Sequence, residues 1–326
     1  GHDMRQIETC LAAARVDRDR PSVIIADTVK GKGVSFMEGP SMPPDDQMYH
    51  FHSGAPSPEL YTKALAELVR AADRQLAALG AGPLRLETVE RPTARPRSGT
   101  QRFIPVYAEA LVEQATPHPE LVVLDADLVL DCGLIPFRDR FPERFIECGI
   151  AEQDMVSMAS GLAARGLLPV VHSFSCFLSA RPNEQIYNNA TEHRKVIYVG
   201  SLAGLLPAGP GHSHQCVRDI SSLGAIPGLT MIEPSCEDEV GLAVDYCVNV
   251  AEDSCYLRLV SILVQVPYAL PPGYAMVKGR GAILREGRDA VVFGYGPIML
   301  TQAIGASERL EREHGVGLRV VNLPWL

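Results

Sequence analysis

The chain has 326 residues, of which 46% are hydrophobic and 21% charged, values typical of a globular protein. Its net charge of -9 argues against a nucleic acid or an anionic membrane as partner, because phosphate binding needs a basic face. No apolar run reaches the roughly 18 residues of a membrane span and no signal peptide opens the chain, so we expect a cytoplasmic protein. A single core rarely exceeds about 250–300 residues, which predicts two domains or parts of domains.

The first part of the chain predicts two helices and one strand. Residues 5–15 favour a helix, and Ser22 to Val29 (SVIIADTV) favour a buried strand followed by the loop KGKG. Ser57-Pro58 suits a helix start, with Ser as the N-cap. The helix after it carries an apolar stripe that we expect to face a core, formed by Leu60, Ala64, Leu65, Leu68, Ala72 and Leu76. Residues 80–99, rich in Pro, Gly and Arg, predict a linker.

Strands and helices alternate from residue 100 onward. Continuous apolar strands separated by helices predict an α/β fold, with a parallel sheet and helices on both faces. The predicted strands are 121–125, 145–148, 168–172, 195–200, 229–233 and 256–260. The predicted helices are 103–115, 151–164, 183–192 and 237–251. A further unit, 273–326, holds strand 290–294, helix 298–313 and strand 318–322.

Ligands of parallel-sheet domains bind where the strands end, and Glu152 lies at such a point. It follows strand 145–148 in the segment GIAEQD and opens a helix. Local sequence favours a carboxylate placed for the helix dipole or as a cap. The functional alternative is a half-buried carboxylate, its pKa raised by burial, that shares a proton with a ligand nitrogen.

Histidines and aromatic residues mark other loops at this edge. His212 and His214 lie in the loop AGLLPAGPGHSHQ, where they could ligate a metal, take part in acid-base chemistry or simply belong to a polar loop. The same choice stands for His50 and His52 in YHFHSGAP. Phe174 and Phe177 in HSFSCFLSA suit a core or the stacking of a flat ligand, and Asp125 and Asp127 suit a turn or a metal. The eight cysteines form no CxxC pair, which predicts reduced, mostly buried thiols.

The order of these motifs resembles the transketolase family. GHD, then IIADTVKGKGVSFMEG and a His before Gly-Ala-Pro resemble the tail of its diphosphate-binding domain, over residues 1–79. Residues 100–272 resemble its pyrimidine-binding domain through Arg102, DADL, GIAEQDM, FSCF and GPGHSHQ. Residues 273–326 resemble the start of its third domain.

The resemblance implies thiamine diphosphate as cofactor and transfer of a two-carbon ketol unit from a ketose to an aldose. Protonation of the far ring nitrogen by Glu152 would favour the imino form that deprotonates the reactive carbon. The implied cofactor contacts are Glu152, Phe177, Phe174, Asp127 and Ile150. The implied substrate contacts are His214 and His52 as catalytic residues, with Arg102, His212 and His50. The implied assembly is a homodimer with the active site between subunits, acting on a sugar or sugar phosphate.

The chain departs from the family's phosphate-binding pattern. Asp131 stands where a Ser is expected, Ser261 stands where an Arg is expected, and Arg258 is shifted from that position. The aspartate expected before the histidine loop aligns near Pro210. An added carboxylate and a missing cation disfavour a phosphorylated ketose.

The family's Gly-Asp-Gly segment with a downstream Asn, which binds Mg²⁺ and the diphosphate, does not occur here. We therefore expect the Mg²⁺ ligands upstream of Gly1, and no metal ligands within this chain. Other possibilities are an enzyme like deoxyxylulose-phosphate synthase or the beta subunit of 2-oxoacid dehydrogenases, and a non-catalytic partner subunit. A metal-dependent hydrolase using the His-x-His pairs is a further alternative.

Overall fold

The computed structural model describes residues 1–16, 18–41, 49–52, 56–87, 100–207, 209 and 211–326. The chain divides into two compact units, Gly1–Thr93 and Ala94–Leu326. Some stretches singled out in the sequence lie wholly or partly outside the described residues. They are Gly-Ala-Pro, 80–99 and Pro210.

The described residues of the smaller unit form two α-helices. They are α1 (Met4–Val16) and α2 (Pro58–Ala78), with a single 3₁₀ turn at Gly39–Ser41. The predicted cap of α2 is confirmed, since the Ser57 hydroxyl accepts a hydrogen bond from the Leu60 N–H at 3.3 Å. This bond satisfies one of the N–H groups that a helix start leaves without a partner.

The predicted buried strand Ser22 to Val29 is wrong. The segment has no strand assignment, and Val23 and Ile25 are 87% and 90% exposed. A strand needs a neighbour for its N–H and C=O groups, and no strand occurs among the described residues of this unit. For the same reason no strand among the described residues of this unit covers the apolar stripe of α2, of which Ala64 is the buried residue.

The larger unit is built on a six-stranded, fully parallel sheet in the order β3-β2-β4-β5-β7-β6. Its strands are β2 (Leu121–Asp125), β3 (Phe145–Glu147), β4 (Leu168–Phe174), β5 (Ile197–Ser201), β6 (Thr230–Ile232) and β7 (Cys255–Arg258). The short strands β1 (Thr100–Gln101) and β8 (Val264–Gln265) pair antiparallel to each other. All six predicted strands are present within a few residues of their predicted bounds.

Helices cover both faces of this sheet. They are α3 (Phe103–Ala115), α4 (Ile135–Arg140), α5 (Glu152–Ala164), α6 (Ser175–Ala180), α7 (Asn183–Thr191), α8 (Asp219–Leu223) and α9 (Glu237–Asp245), which continues as a π turn to Val250. Residues of α3, α4 and α9 fill the core on one face, and residues of α5, α6, α7 and α8 fill the other. The predicted α/β fold with helices on both faces is confirmed.

A second sheet follows in the same unit. Its strands β9 (Ala282–Arg285), β10 (Ala290–Gly294) and β11 (Leu318–Asn322) are ordered β10-β11-β9. Helix α10 (Pro297–His314) packs Leu300 and Ile304 against Val320. The short helices α4, α6 and α8 and strand β9 were not predicted, because pieces of four to six residues carry little periodicity.

All eight cysteines are unpaired and five are buried, which agrees with the prediction of reduced thiols. Within the described ranges, no helix combines the length and the apolar character that crossing a bilayer requires.

Candidate active site

The centre of the candidate site is the Glu152 carboxylate. A turn at Gly149, whose φ is 66°, joins β3 to α5, and Glu152 is the first residue of that helix. Glu152 is only 2% exposed, so its charge lies in a largely dry environment near the positive end of the helix dipole. Ile150, in the same turn, is exposed.

Arg181 lies against this carboxylate, and Phe177 lies against Arg181. Helix α6 starts directly after β4 and carries Phe177, and Arg181 follows at its C-terminus. The Arg181 Nη1 donates a hydrogen bond to Glu152 Oε1. The guanidinium carbon of Arg181 lies 4.0 Å from the centroid of the Phe177 ring. A planar cation is therefore held between an aromatic face and a buried carboxylate.

Phe174, Phe177 and His214 form an aromatic cluster. The His214 ring centroid lies 5.2 Å from that of Phe177 and 5.7 Å from that of Phe174, both in edge-on geometry. The Ser213 hydroxyl is 2.9 Å from His214 Nδ1. The structure thus brings four predicted site residues, Glu152, Phe174, Phe177 and His214, to the carboxyl ends of β3, β4 and β5. His212 is exposed in the same loop.

Asp125 and Asp127 end β2 beside this cluster. Asp125 is buried and its Oδ2 accepts a hydrogen bond from the Leu128 N–H at 2.8 Å, so it caps the turn. Burial, with a smaller contribution from the Glu147 charge, raises the pKa of Asp125 to about 7. Asp127 has a φ of 61°, and its N–H donates to Glu147 Oε1 at 2.9 Å.

Arg102 lies in the larger unit but away from this cluster, whereas His50 and His52 belong to the other unit. Arg102 precedes α3, where its backbone N–H donates to the Glu237 carboxylate at the start of α9, near the far edge of the sheet. His50 and His52 belong to the smaller unit, where the His52 Nδ1 is 3.1 Å from the Lys30 Nζ.

Arg181 was missed in the sequence, although a signal existed. It stands four residues after Phe177 in a helical segment, and residues spaced in this way share a helix face. Its contact with Glu152 joins residues 29 positions apart in the chain, which no local pattern indicates.

A buried ionic cluster near the ends of β6 and β7 was also missed. The Arg258 Nε donates to Asp219 Oδ2 at 2.7 Å, and its Nη1 donates to Glu233 Oε2. Burial alone would lower the pKa of Arg258, but attraction by Glu233 and Asp219 outweighs it and raises that pKa. The Arg258 guanidinium is thus neutralised by its own chain.

Ser261, at the position where the resemblance predicts a cation, accepts a hydrogen bond from the Leu202 N–H at 2.8 Å. The described ranges hold no group of three or more His, Cys, Asp or Glu side chains placed to bind a metal ion.

A parallel sheet with a buried carboxylate and an aromatic cluster at its carboxyl edge defines an α/β protein with a candidate ligand site at the ends of its strands. The family model described as "Transketolase, pyrimidine binding domain" matches residues 101–265, about half of the chain. The chain belongs to this family, as the order of its motifs predicted.

Several curated relatives are similar to the chain. A 1-deoxy-D-xylulose-5-phosphate synthase of Carboxydothermus hydrogenoformans is 34% identical over 74% of this chain and 38% of that protein. A synthase of the same name from Rippkaea orientalis is 29% identical over 99% of this chain and 45% of that protein. The 6-deoxy-6-sulfo-D-fructose transketolase subunit SqwH of a Clostridium species is 33% identical over 67% of this chain and 66% of that protein. The chain therefore spans less than half the length of the two synthases.

Solved structures of transketolases are also similar to the chain. A split-gene transketolase, described as an inactive beta4 tetramer, is 32% identical with a TM-score of 0.60, over 68% of this chain and 70% of that chain. Transketolase from Leishmania mexicana is 22% identical with a TM-score of 0.62, over 82% of this chain and 41% of that chain. The second likeness concerns the fold alone.

Proposed function

We propose that the chain supplies the pyrimidine-binding part of a thiamine diphosphate-dependent enzyme of the transketolase type. The reaction is transfer of a two-carbon ketol unit from a ketose to an aldose. The observation that carries this proposal is the buried Glu152 carboxylate in the first turn of α5, bound to Arg181, whose guanidinium lies over the Phe177 ring. The cofactor contacts are Glu152, Phe177, Phe174, Asp127 and Ile150.

The residues present fit the aminopyrimidine ring of thiamine diphosphate. The Arg181 guanidinium is itself a planar, nitrogen-rich cation, and it stacks on Phe177 while donating to Glu152. The same two side chains can therefore stack on and hydrogen-bond a protonated ring nitrogen. When bound, the cofactor supplies the nucleophilic carbon that attacks the carbonyl group of the donor sugar.

The chain's own residues have separate tasks in this proposal. Glu152 holds a proton at the ring nitrogen, and its burial strengthens that hydrogen bond because little water competes. Phe177 orients the ring by stacking. His214 takes and returns a proton of a substrate hydroxyl, a common task of histidine in enzymes. His52, His50 and His212 remain proposed contacts of the substrate.

Replacing Glu152 by Gln tests the proposal in the complete enzyme. The variant keeps the size of the side chain but cannot hold the proton in the same way, so turnover should fall by about 10²–10⁴-fold. Asp154→Asn, an exposed carboxylate of the same helical turn, is the matched control and should keep its turnover. Wild-type turnover of Glu152→Gln would contradict the proposed role.

We propose further that the substrate is a sugar without a phosphate group. The supporting observations are the engaged Arg258 guanidinium and Ser261 in place of a cation. Arg102 then remains the one proposed cationic contact. One relative is named for a sulfonated ketose, 6-deoxy-6-sulfo-D-fructose, so phosphate is not the sole substituent to test. Comparing kcat/KM for phosphorylated, sulfonated and plain ketoses checks the proposal.

A synthase-like reaction is the second candidate, because relatives of that name align over 99% of the chain. Their named product, a 1-deoxy ketose, carries a methyl group where a ketol unit carries a hydroxymethyl group. The two candidates therefore predict different donors. Supplying a 2-oxo acid or a ketose as sole donor, and identifying the product by mass spectrometry, separates them.

We propose several further features because the chain belongs to this family. They are a homodimer with the active site between subunits, a cytoplasmic location, and Mg²⁺ bound with the diphosphate by residues outside this chain. The proposed domains are 1–79, the linker 80–99, 100–272 and 273–326. One similar protein is named a subunit and one a split-gene product, which supports assaying the chain both alone and with an N-terminal partner.

A further inference from the structure

Glu147, the last residue of β3, joins two turns at the edge of the sheet. Its Oε1 accepts a hydrogen bond from the Asp127 N–H at 2.9 Å and a second from the Gly149 N–H at 2.8 Å. The first donor follows β2 and the second follows β3. One carboxylate oxygen thus connects the turn that carries Asp127 to the turn that leads into Glu152.

Both donors have left-handed backbone. The φ of Asp127 is 61° and that of Gly149 is 66°. Glycine adopts this conformation readily, whereas at a residue with a side chain it persists only when surrounding contacts hold it. The Glu147 carboxylate supplies such a contact to Asp127. Within the second turn, the Ala151 N–H donates to the Gly149 carbonyl at 2.8 Å, directly before Glu152.

The neighbouring Asp125 explains why Glu147 is the carboxylate that accepts these two N–H groups. The two residues are direct neighbours in the register of β2 and β3. Asp125 is buried and its Oδ2 is engaged by the Leu128 N–H, whereas the Glu147 side chain is exposed. Burial, with a smaller contribution from the adjacent Glu147 carboxylate, raises the pKa of Asp125 to about 7, which favours its protonated form and lessens the repulsion between the two side chains.

We infer that Glu147 is a positioning residue, which sets the spacing between Asp127 and Glu152 by binding both turns through one oxygen. The inference rests on the proposed function, in which Asp127 and Glu152 contact the cofactor. Glu147 touches neither reacting group. Its effect is transmitted through the backbone of the two turns.

Two variants test this inference. Glu147→Ala removes the acceptor, whereas Glu147→Gln keeps one side-chain oxygen that can accept both N–H groups. Glu143→Ala, an exposed carboxylate four residues earlier, is the matched control. In hydrogen exchange of the full chain, the Asp127 and Gly149 amides of Glu147→Ala should exchange at least about tenfold faster, with Glu147→Gln and Glu143→Ala within about threefold of wild type.

Cofactor affinity supplies the second measurement. In the complete enzyme, calorimetric titration with thiamine diphosphate and Mg²⁺ should show binding at least about tenfold weaker for Glu147→Ala and nearly unchanged for Glu147→Gln. Unchanged exchange in Glu147→Ala, equal damage by both variants, or faster exchange with unchanged affinity would each overturn the inference. Absence of binding by the wild-type enzyme would instead contradict the proposed function, so the two failures are distinguishable.

Discussion

Two arginine–carboxylate groups stand at the carboxyl edge of the same sheet, and they differ in how completely they are closed. Arg258 is bound by two carboxylates, and its side chain is 9% exposed. Arg181 is bound by one, and its side chain is 37% exposed. In the closed cluster the guanidinium and both carboxylates are already bound to each other, so the cluster stabilises the fold. In the open pair, Glu152 can exchange Arg181 for a ligand. This difference supports the proposed ligand site on the β3 side of the sheet.

The largest expected effect concerns the closed cluster. Arg258→Met leaves Asp219 and Glu233 as buried charges without their cation, and should lower the free energy of unfolding by about 3–5 kcal/mol. Arg309→Met, which breaks an exposed i,i+4 pair with Glu313, should cost about 0.3–0.5 kcal/mol. Urea denaturation measures both. Adding Asp219→Asn and Glu233→Gln to Arg258→Met should restore part of the loss, and further destabilisation would contradict a closed cluster.

Arg102 provides a sharper test of which cation meets the substrate. With Arg258 engaged, Arg102→Ala should lower kcat/KM for a phosphorylated ketose by about 10–100-fold, the usual range for a charge-assisted hydrogen bond. A plain ketose lacks the anionic group and should be affected little. Steady-state kinetics with matched substrates checks this, and an equal loss on both would argue against phosphate contact by Arg102.

Asp125 belongs to neither pair and predicts a pH effect. Its pKa is about 7 in the fold against an ordinary value of 3.8, so the folded chain holds a proton that the unfolded chain releases. Its contribution to stability is full below about pH 4 and is lost as the pH rises through about 7. The groups around Asp125 are Glu147, Cys132 and His172.

Asp125→Asn should remove this dependence. The stability difference between wild type and variant should change by at most about 1.4 kcal/mol per pH unit between pH 4 and 7, in favour of the variant as the pH rises. His172 acts in the opposite direction in both proteins, because burial lowers its pKa to about 4. Urea denaturation at several pH values is the measurement, and a constant difference across this window would contradict the raised pKa.

The smallest expected effect concerns the open pair. Arg181 occupies Glu152 and Phe177, the two contacts that the proposed ring would take. In Arg181→Met no guanidinium has to leave these contacts. The complete enzyme with this change should therefore bind thiamine diphosphate about threefold to tenfold more tightly. Arg165→Met, at the other end of α5, is the matched control and should not change the affinity. Calorimetric titration measures this. Weaker binding by Arg181→Met would show that Arg181 supports the ligand instead.

The sequence by itself determined the six strands of the main sheet, the longer helices of the larger unit and the family. Helix α3 has the predicted bounds 103–115, and the six strands were located to within a few residues, because continuous apolar runs and helical spacing are local properties of the chain. The order of GIAEQDM, FSCF and GPGHSHQ indicated the family that the comparisons confirm.

Only the tertiary structure decided which side chains meet. Ser22 to Val29 and β4 both contain adjacent β-branched residues, yet the first segment is largely exposed and the second is a buried central strand, since strand formation depends on a neighbour elsewhere in the chain. Likewise, Arg181 contacts Glu152 and Arg258 contacts Glu233 across 29 and 25 residues. Contacts between residues so far apart in the chain depend on the order of the strands in the sheet. The local periodicity of the sequence carries no information about that order.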